Sequence, residues 1–144
     1  MLHFLCNINR LEYYPNNSFC LFLIEFIKLN QDNPTQGPVS ISHDGMIKYD
    51  EKYIFVIGGI QNKETSHKTW IVDMTNPNSF KIKEGPCMKE GRSDFAFGKM
   101  VIDGKTILIV AGGRFWRSLG TFSNLDSVEM LDPTSHQGWT SGKI

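Results

Sequence analysis

The stretch YIFVIGG, Tyr53 to Gly59, returns as TILIVAGG from Thr106 to Gly113, with Gly58 and Gly112 54 residues apart. A run of β-branched and large apolar residues of this length reads as a buried strand. Two glycines at its end mean that the chain leaves the strand with positive φ or passes close against another backbone. One such strand says little. Two of them, with matching punctuation around them, make an internal repeat, and everything after Tyr53 can be read as two copies of one unit.

Upstream of the first glycine pair, MIKYDEKYIFVI reads as two short strands joined at YDEK, preceded by the strand VSISH and a turn at Asp44-Gly45. In the second copy, Asp94 to Ile102 and Lys105 to Gly113 flank Asp103-Gly104. Asp-Gly suits a two-residue hairpin because a type I′ turn needs positive φ at both central positions. After each glycine pair comes a polar loop, Ile60 to Lys68 and the longer Arg114 to Asn124. A third strand follows, TWIVDM or SVEMLD, and then a fourth that opens at an aromatic. VDMTNPNSF and LDPTSHQGW superpose without a gap. Each carries an aspartate (Asp73, Asp132), a threonine two residues on, a nearby proline and a closing aromatic (Phe80, Trp139). The expected fold class is all-β.

Fifteen basic and fifteen acidic residues cancel, so no global field draws the chain to nucleic acid or to an anionic membrane. The apolar run from Phe19 to Leu29 is interrupted by Glu25 and Lys28 and falls short of the roughly 20 residues a membrane span needs. Cys6, Cys20 and Cys87 are odd in number and form no C-x-x-C pair, which predicts free thiols in a reducing compartment, the cytoplasm. From Asn30 to Pro38 the composition is that of a loop. The expected organisation is an N-terminal segment over 1–38, a first repeat over 39–92 and a second over 93–144.

His3, His43, His67 and His136 sit in different elements without ligand spacing, so no metal site is expected. Ser42-His43-Asp44 has the residue types of a hydrolytic triad, but consecutive strand residues point to opposite faces and cannot form its hydrogen-bond chain. The glycine pairs lack the following helix of a phosphate-binding loop. The loop from Arg114 to Phe122 interleaves Arg114 and Arg117 with Phe115, Trp116 and Phe122. Arginine and aromatic residues are what binding hot spots favour.

The double glycine, the downstream aspartate, the aromatic, and GPCMKEGR from Gly85 to Arg92 together resemble the kelch repeat, over about residues 39 to 144. The spacing of the glycine pairs lies near the period of roughly 50 residues of kelch-type propeller blades. The resemblance implies a partial β-propeller of two four-stranded antiparallel blades. Gly58, Gly59, Asp73, Phe80, Gly112, Gly113, Asp132 and Trp139 would be its structural signature. It implies a protein–protein interaction module, a substrate-recruiting or cytoskeletal scaffold, rather than an enzyme, with no cofactor. The alternative is a fragment of a kelch-type propeller enzyme, galactose-oxidase-like, with its catalytic residues outside this chain. The resemblance further implies that Gln61, Arg92, Ser93 and Arg114 face a ligand, with Phe115, Trp116 and Arg117 beside them. The ligand would be a protein or an acidic peptide, because an arginine can fork onto a carboxylate. Propellers close with about four to eight blades, so two blades are expected to need further blades or self-association.

Overall fold

The computed structural model describes residues 45–61, 63–76, 79–116 and 120–142. The N-terminal segment, the strand VSISH, the Ser42-His43-Asp44 triplet and Arg117 lie outside the described residues. The first repeat holds six strands: β1 (Gly45–Lys48), β2 (Tyr53–Ile57), β3 (Ile60–Gln61), β4 (Glu64–Thr65), β5 (Thr69–Asp73) and β6 (Lys81–Glu84). The second holds β7 (Ala96–Ile102), β8 (Lys105–Ala111), β9 (Arg114–Trp116), β10 (Phe122–Asn124), β11 (Val128–Leu131) and β12 (Thr140–Gly142).

The fold is all-β. Each repeat is a four-stranded antiparallel meander, β1-β2-β5-β6 and β7-β8-β11-β12, with a two-stranded hairpin inserted between its second and third strands. Both polar loops of the sequence are therefore hairpins, β3-β4 and β9-β10. Strands of two or three residues are too short to show a period-2 pattern.

The first hairpin turns at Tyr49 to Lys52, where the Asp50 carboxylate accepts the amides of Lys52 at 2.7 Å and Tyr53 at 2.8 Å. The second turns at Asp103-Gly104, whose φ values of 49° and 74° are the expected positive pair. Gly45, expected in a turn, instead opens β1, and a Cβ there would lie 2.9 Å from the Phe95 ring.

The glycine pairs satisfy both expectations placed on them. Gly58 and Gly59 have φ of 62° and 89°, and Gly112 and Gly113 have 63° and 95°. A Cβ on Gly58 would sit 2.6 Å from the Arg92 carbonyl oxygen, and one on Gly113 2.6 Å from that of Ser93. The crowding has a purpose: Gly59 donates its amide to the Arg92 carbonyl at 2.8 Å, so the first repeat is laced to the segment that leads into the second.

Alternation gives each sheet two faces. Ile47, Phe55 and Ile57 of the first sheet pack with Phe95, Leu108, Val110, Leu131, Trp139 and Met88 in one core cluster. The opposite face of the first sheet buries Ile54, Val56 and Val72. On the second sheet, Ile107, Ile109, Ala111, Val128 and Met130 alternate away from the first and are half-buried, while Met100 is 47% and Ile102 40% exposed. These residues belong to neither core cluster. In the repeat alignment Ile107, Ile109 and Ala111 correspond to Tyr53, Phe55 and Ile57, which the first sheet turns towards the second.

Asp73 and Asp132 end the third strands alike. Each carboxylate accepts the amide and the hydroxyl of the threonine two residues on, Thr75 or Thr134. These hydrogen bonds, with Lys105 adding to them at Asp132, favour the charged form; they lower the Asp73 carboxyl and bring Asp132 from 3.8 to about 2. A folded-state value depressed below the unfolded one stabilises the fold above about pH 4, and that stabilisation is lost as pH falls towards 2. Thr134→Val should therefore lower the melting temperature at pH 6 and converge with the parent chain near pH 2. An equal deficit at both pH values in thermal melts would contradict this role for the pair.

Candidate functional site

The segment between the repeats, from Gly85 to Ser93, carries the densest polar network among the described residues. Arg92 and Ser93 are both fully buried. The Arg92 backbone belongs to the first repeat: its amide donates to the Ser66 carbonyl at 3.2 Å and its carbonyl accepts from Gly59. Its side chain belongs to the second. Nη1 donates to the carbonyls of Gly112 at 3.0 Å and Ser127 at 3.3 Å, and Nη2 donates to Ser127 Oγ at 3.1 Å and Glu129 Oε1 at 2.7 Å.

Glu129 lies on β11 two residues before Leu131, so both point into the seam between the sheets. It is 1% exposed. Its Oε2 accepts the Lys89 amide at 2.7 Å, and its Oε1 accepts the Glu90 amide at 3.2 Å alongside the arginine. The Ser127 hydroxyl donates to the Glu90 carboxylate at the rim. Both buried charges thus meet an opposite charge and backbone dipoles, as burial of ions demands, while Arg92 Nε has no hydrogen-bond partner among the described residues. The resemblance places Arg92 and Ser93 on a ligand face, and the structure corrects that placement. The carboxylate that takes Arg92 comes from within the chain, and Ser93 is spent on the backbone of Arg114, exchanging hydrogen bonds of 2.9 and 2.8 Å with it.

Trp139 closes the same seam. Its indole Nε1 donates to Thr69 Oγ1 at 3.1 Å and to the Pro86 carbonyl at 3.0 Å, so the start of the last strand reaches back to the first sheet and to the linker. Phe80 occupies the matching position in the first repeat, has no such donor, and packs half-buried against the Ile54, Val56 and Val72 cluster.

The other predicted residues gather at one end of the molecule, on the two inserted hairpins. Gln61 is half-buried on β3, opposite Glu64. Thr65 on β4 donates its hydroxyl towards the Trp116 carbonyl at 3.5 Å, so the hairpins lie side by side. On β9, Arg114 and Trp116 share one face with their cross-strand partners Asn124 and Phe122, while Phe115 and Ser123 point to the other. The Arg114 guanidinium lies 5.1 Å from the centroid of the Phe122 ring, and the Trp116 and Phe122 rings are 5.2 Å apart. Arg114 is exposed and has no carboxylate partner among the described residues.

Glu129 and Phe122 are the two residues that sequence reasoning did not assign to the site. Glu129 had a signal: an acid inside VEML, on the same alternation as the core residue Leu131, needs a buried cation. Phe122 shared the arginine–aromatic pattern of the 114–122 loop, but its place opposite Trp116 and under the Arg114 guanidinium comes from the hairpin register. Among the described residues, no group of three or more His, Cys, Asp or Glu side chains could hold a metal ion. Among the same residues no helix is long and apolar enough to cross a membrane. No family model matches the chain, and no curated protein matches it.

Removing either partner of a buried ion pair leaves an uncompensated charge, at a cost of about 3–5 kcal/mol. Arg92→Met and Glu129→Met should each destabilise by about that much, and the double variant should fall well short of their sum. Additive losses in chemical denaturation would show that the two side chains do not act as one unit.

Proposed function

We propose that the chain is a protein-interaction unit, two repeats of a kelch-type propeller, that holds an acidic peptide through the hairpin end. The observation that carries this reading is the exposed Arg114 laid over Phe122 and beside Trp116. A guanidinium parked on an aromatic ring, with no carboxylate partner among the described residues, is a preorganised cation open to a ligand. It can fork onto a ligand carboxylate at little conformational cost. Phe115 follows it on β9 with its side chain on the other face, Gln61 lies on the neighbouring hairpin, and Ser93 supports it through the backbone bridge to Arg114.

The reading includes a further four-stranded unit, from more of the polypeptide or from another copy, seated on the open face of the second sheet. Repeat units bury their faces on their neighbours, and Ile107, Ile109 and Ala111 stand where the first repeat presents Tyr53, Phe55 and Ile57 to the second. We place the protein in the reducing cytoplasm, in keeping with the free, exposed thiol of Cys87.

Panning a display library of random peptides against the immobilised chain tests the binding role. Enriched peptides should carry Asp or Glu and should lose more than about 1 kcal/mol of affinity for Arg114→Ala at an unchanged melting temperature. A loss of stability matching the loss of affinity would make Arg114 a packing residue instead. Sedimentation tests the open face: the isolated chain should self-associate and Ile109→Lys should reduce that association, whereas a folded, soluble monomer would overturn this part of the reading.

A further inference from the structure

The hydrogen-bond parity of the β9-β10 hairpin leaves one strand edge open. In an antiparallel pair, facing residues alternate between those that exchange both backbone hydrogen bonds and those that exchange none. The Leu125 amide donates to the Gly113 carbonyl at 2.9 Å. With Asn124 opposite Arg114 and Phe122 opposite Trp116, that bond makes Ser123 and Phe115 the next bonded pair. The backbone groups of Arg114 and Trp116 then point away from β10, where Ser93 and the Thr65 hydroxyl meet them. By the same parity, Phe122 and Asn124 turn their N–H and C=O groups away from β9. Nothing among the described residues takes them, and all three residues of β10 are exposed, Phe122 by 52%.

The side chains above that edge are not those of a blunted one. Edge strands are commonly protected by lysine, proline or an inward-pointing charge. Here the edge carries Phe122, and the Arg114 guanidinium leans diagonally across from β9 to lie over its ring. The cation therefore sits above β10 itself, one strand spacing, about 4.8 Å, from where a next strand would run.

We propose that β10 accepts an extended acidic peptide as an added strand. The Phe122 and Asn124 backbone groups form its ladder, Arg114 takes a carboxylate on the face it shares with Phe122, and the Phe122 ring packs against the residue beside that carboxylate. This rests on the peptide-binding reading above and specifies its geometry: main-chain hydrogen bonds supply the register and alternate side chains supply the selectivity. A peptide docked by its side chains alone would use the same arginine but leave the β10 amides free.

The probe is a capped heptapeptide of alternating glutamate and valine, measured against the full chain by calorimetry and amide hydrogen exchange. It should bind, slow exchange at the Phe122 and Asn124 amides, and lose at least 10-fold in affinity when its edge-facing amides are N-methylated. Asn124→Pro removes one outward N–H and none of the bonds to β9, so it should weaken binding of the probe by at least 5-fold while amide protection in β8 and β11 stays intact. If the peptide binds equally well with and without N-methylation, or the β10 amides gain no protection, strand addition is overturned while peptide recognition stands. If neither this probe nor any library peptide binds, both readings fall.

Discussion

The contact between Arg92 and Glu129 is the constraint on which the rest of the structure depends. Its backbone end is built into the first repeat through Ser66 and Gly59, and its charged end is built into the second through Gly112, Ser127 and Glu129. Two four-stranded sheets that meet only through apolar faces could slide or twist against one another, because the hydrophobic effect is non-directional. A buried guanidinium with four acceptor atoms on three residues of the second repeat cannot. Its desolvation is tolerable only at one relative placement of the sheets, so the pair contributes register more than net stability.

That placement also positions the hairpin end. The double glycines leave their strands with positive φ, which frees Gly58 and Gly113 to pass within contact of the Arg92 and Ser93 carbonyls. Ser93 then bridges to Arg114, and the bridge fixes which backbone groups of β9 point inwards and, by parity, which of β10 point outwards. The stack of the exposed Arg114 and Phe122 with the half-buried Trp116 thus follows from the same linker that holds the sheets together. The first repeat shows the alternative: Trp70, which aligns with Glu129, carries the Lys68 ammonium against its ring instead of an acid that could receive an arginine.

The strand framework was legible because alternation, the two glycine pairs and the Asp103-Gly104 turn are local signals, and each is read within a few residues. The superposed aspartate–threonine segments were legible for the same reason, and they form the same turn in both repeats. The short hairpins were not, since β3, β4, β9 and β10 have two or three residues each, too few to show a period-2 alternation. The fate of Arg92 was hidden for a different reason. Whether an arginine meets solvent or a buried acid depends on Glu129, 37 residues away, and on the relative placement of the two sheets. The expected ligand-facing set therefore loses the buried Arg92 and Ser93, its remaining described residues lie on the hairpins, and the register of β9 and β10 sets Phe122 beside them.

The most direct test of the linking role of Arg92 is native-state amide hydrogen exchange on the parent chain and on Glu129→Gln, read separately for each sheet. Glu129 lies in the second repeat, yet loss of its charge should lower protection at Gly59 and along β2 in the first repeat together with β8 and β11. If exchange quickens in the second sheet alone and the first sheet keeps its protection, the repeats are held together by their apolar faces, and the arginine does not join them.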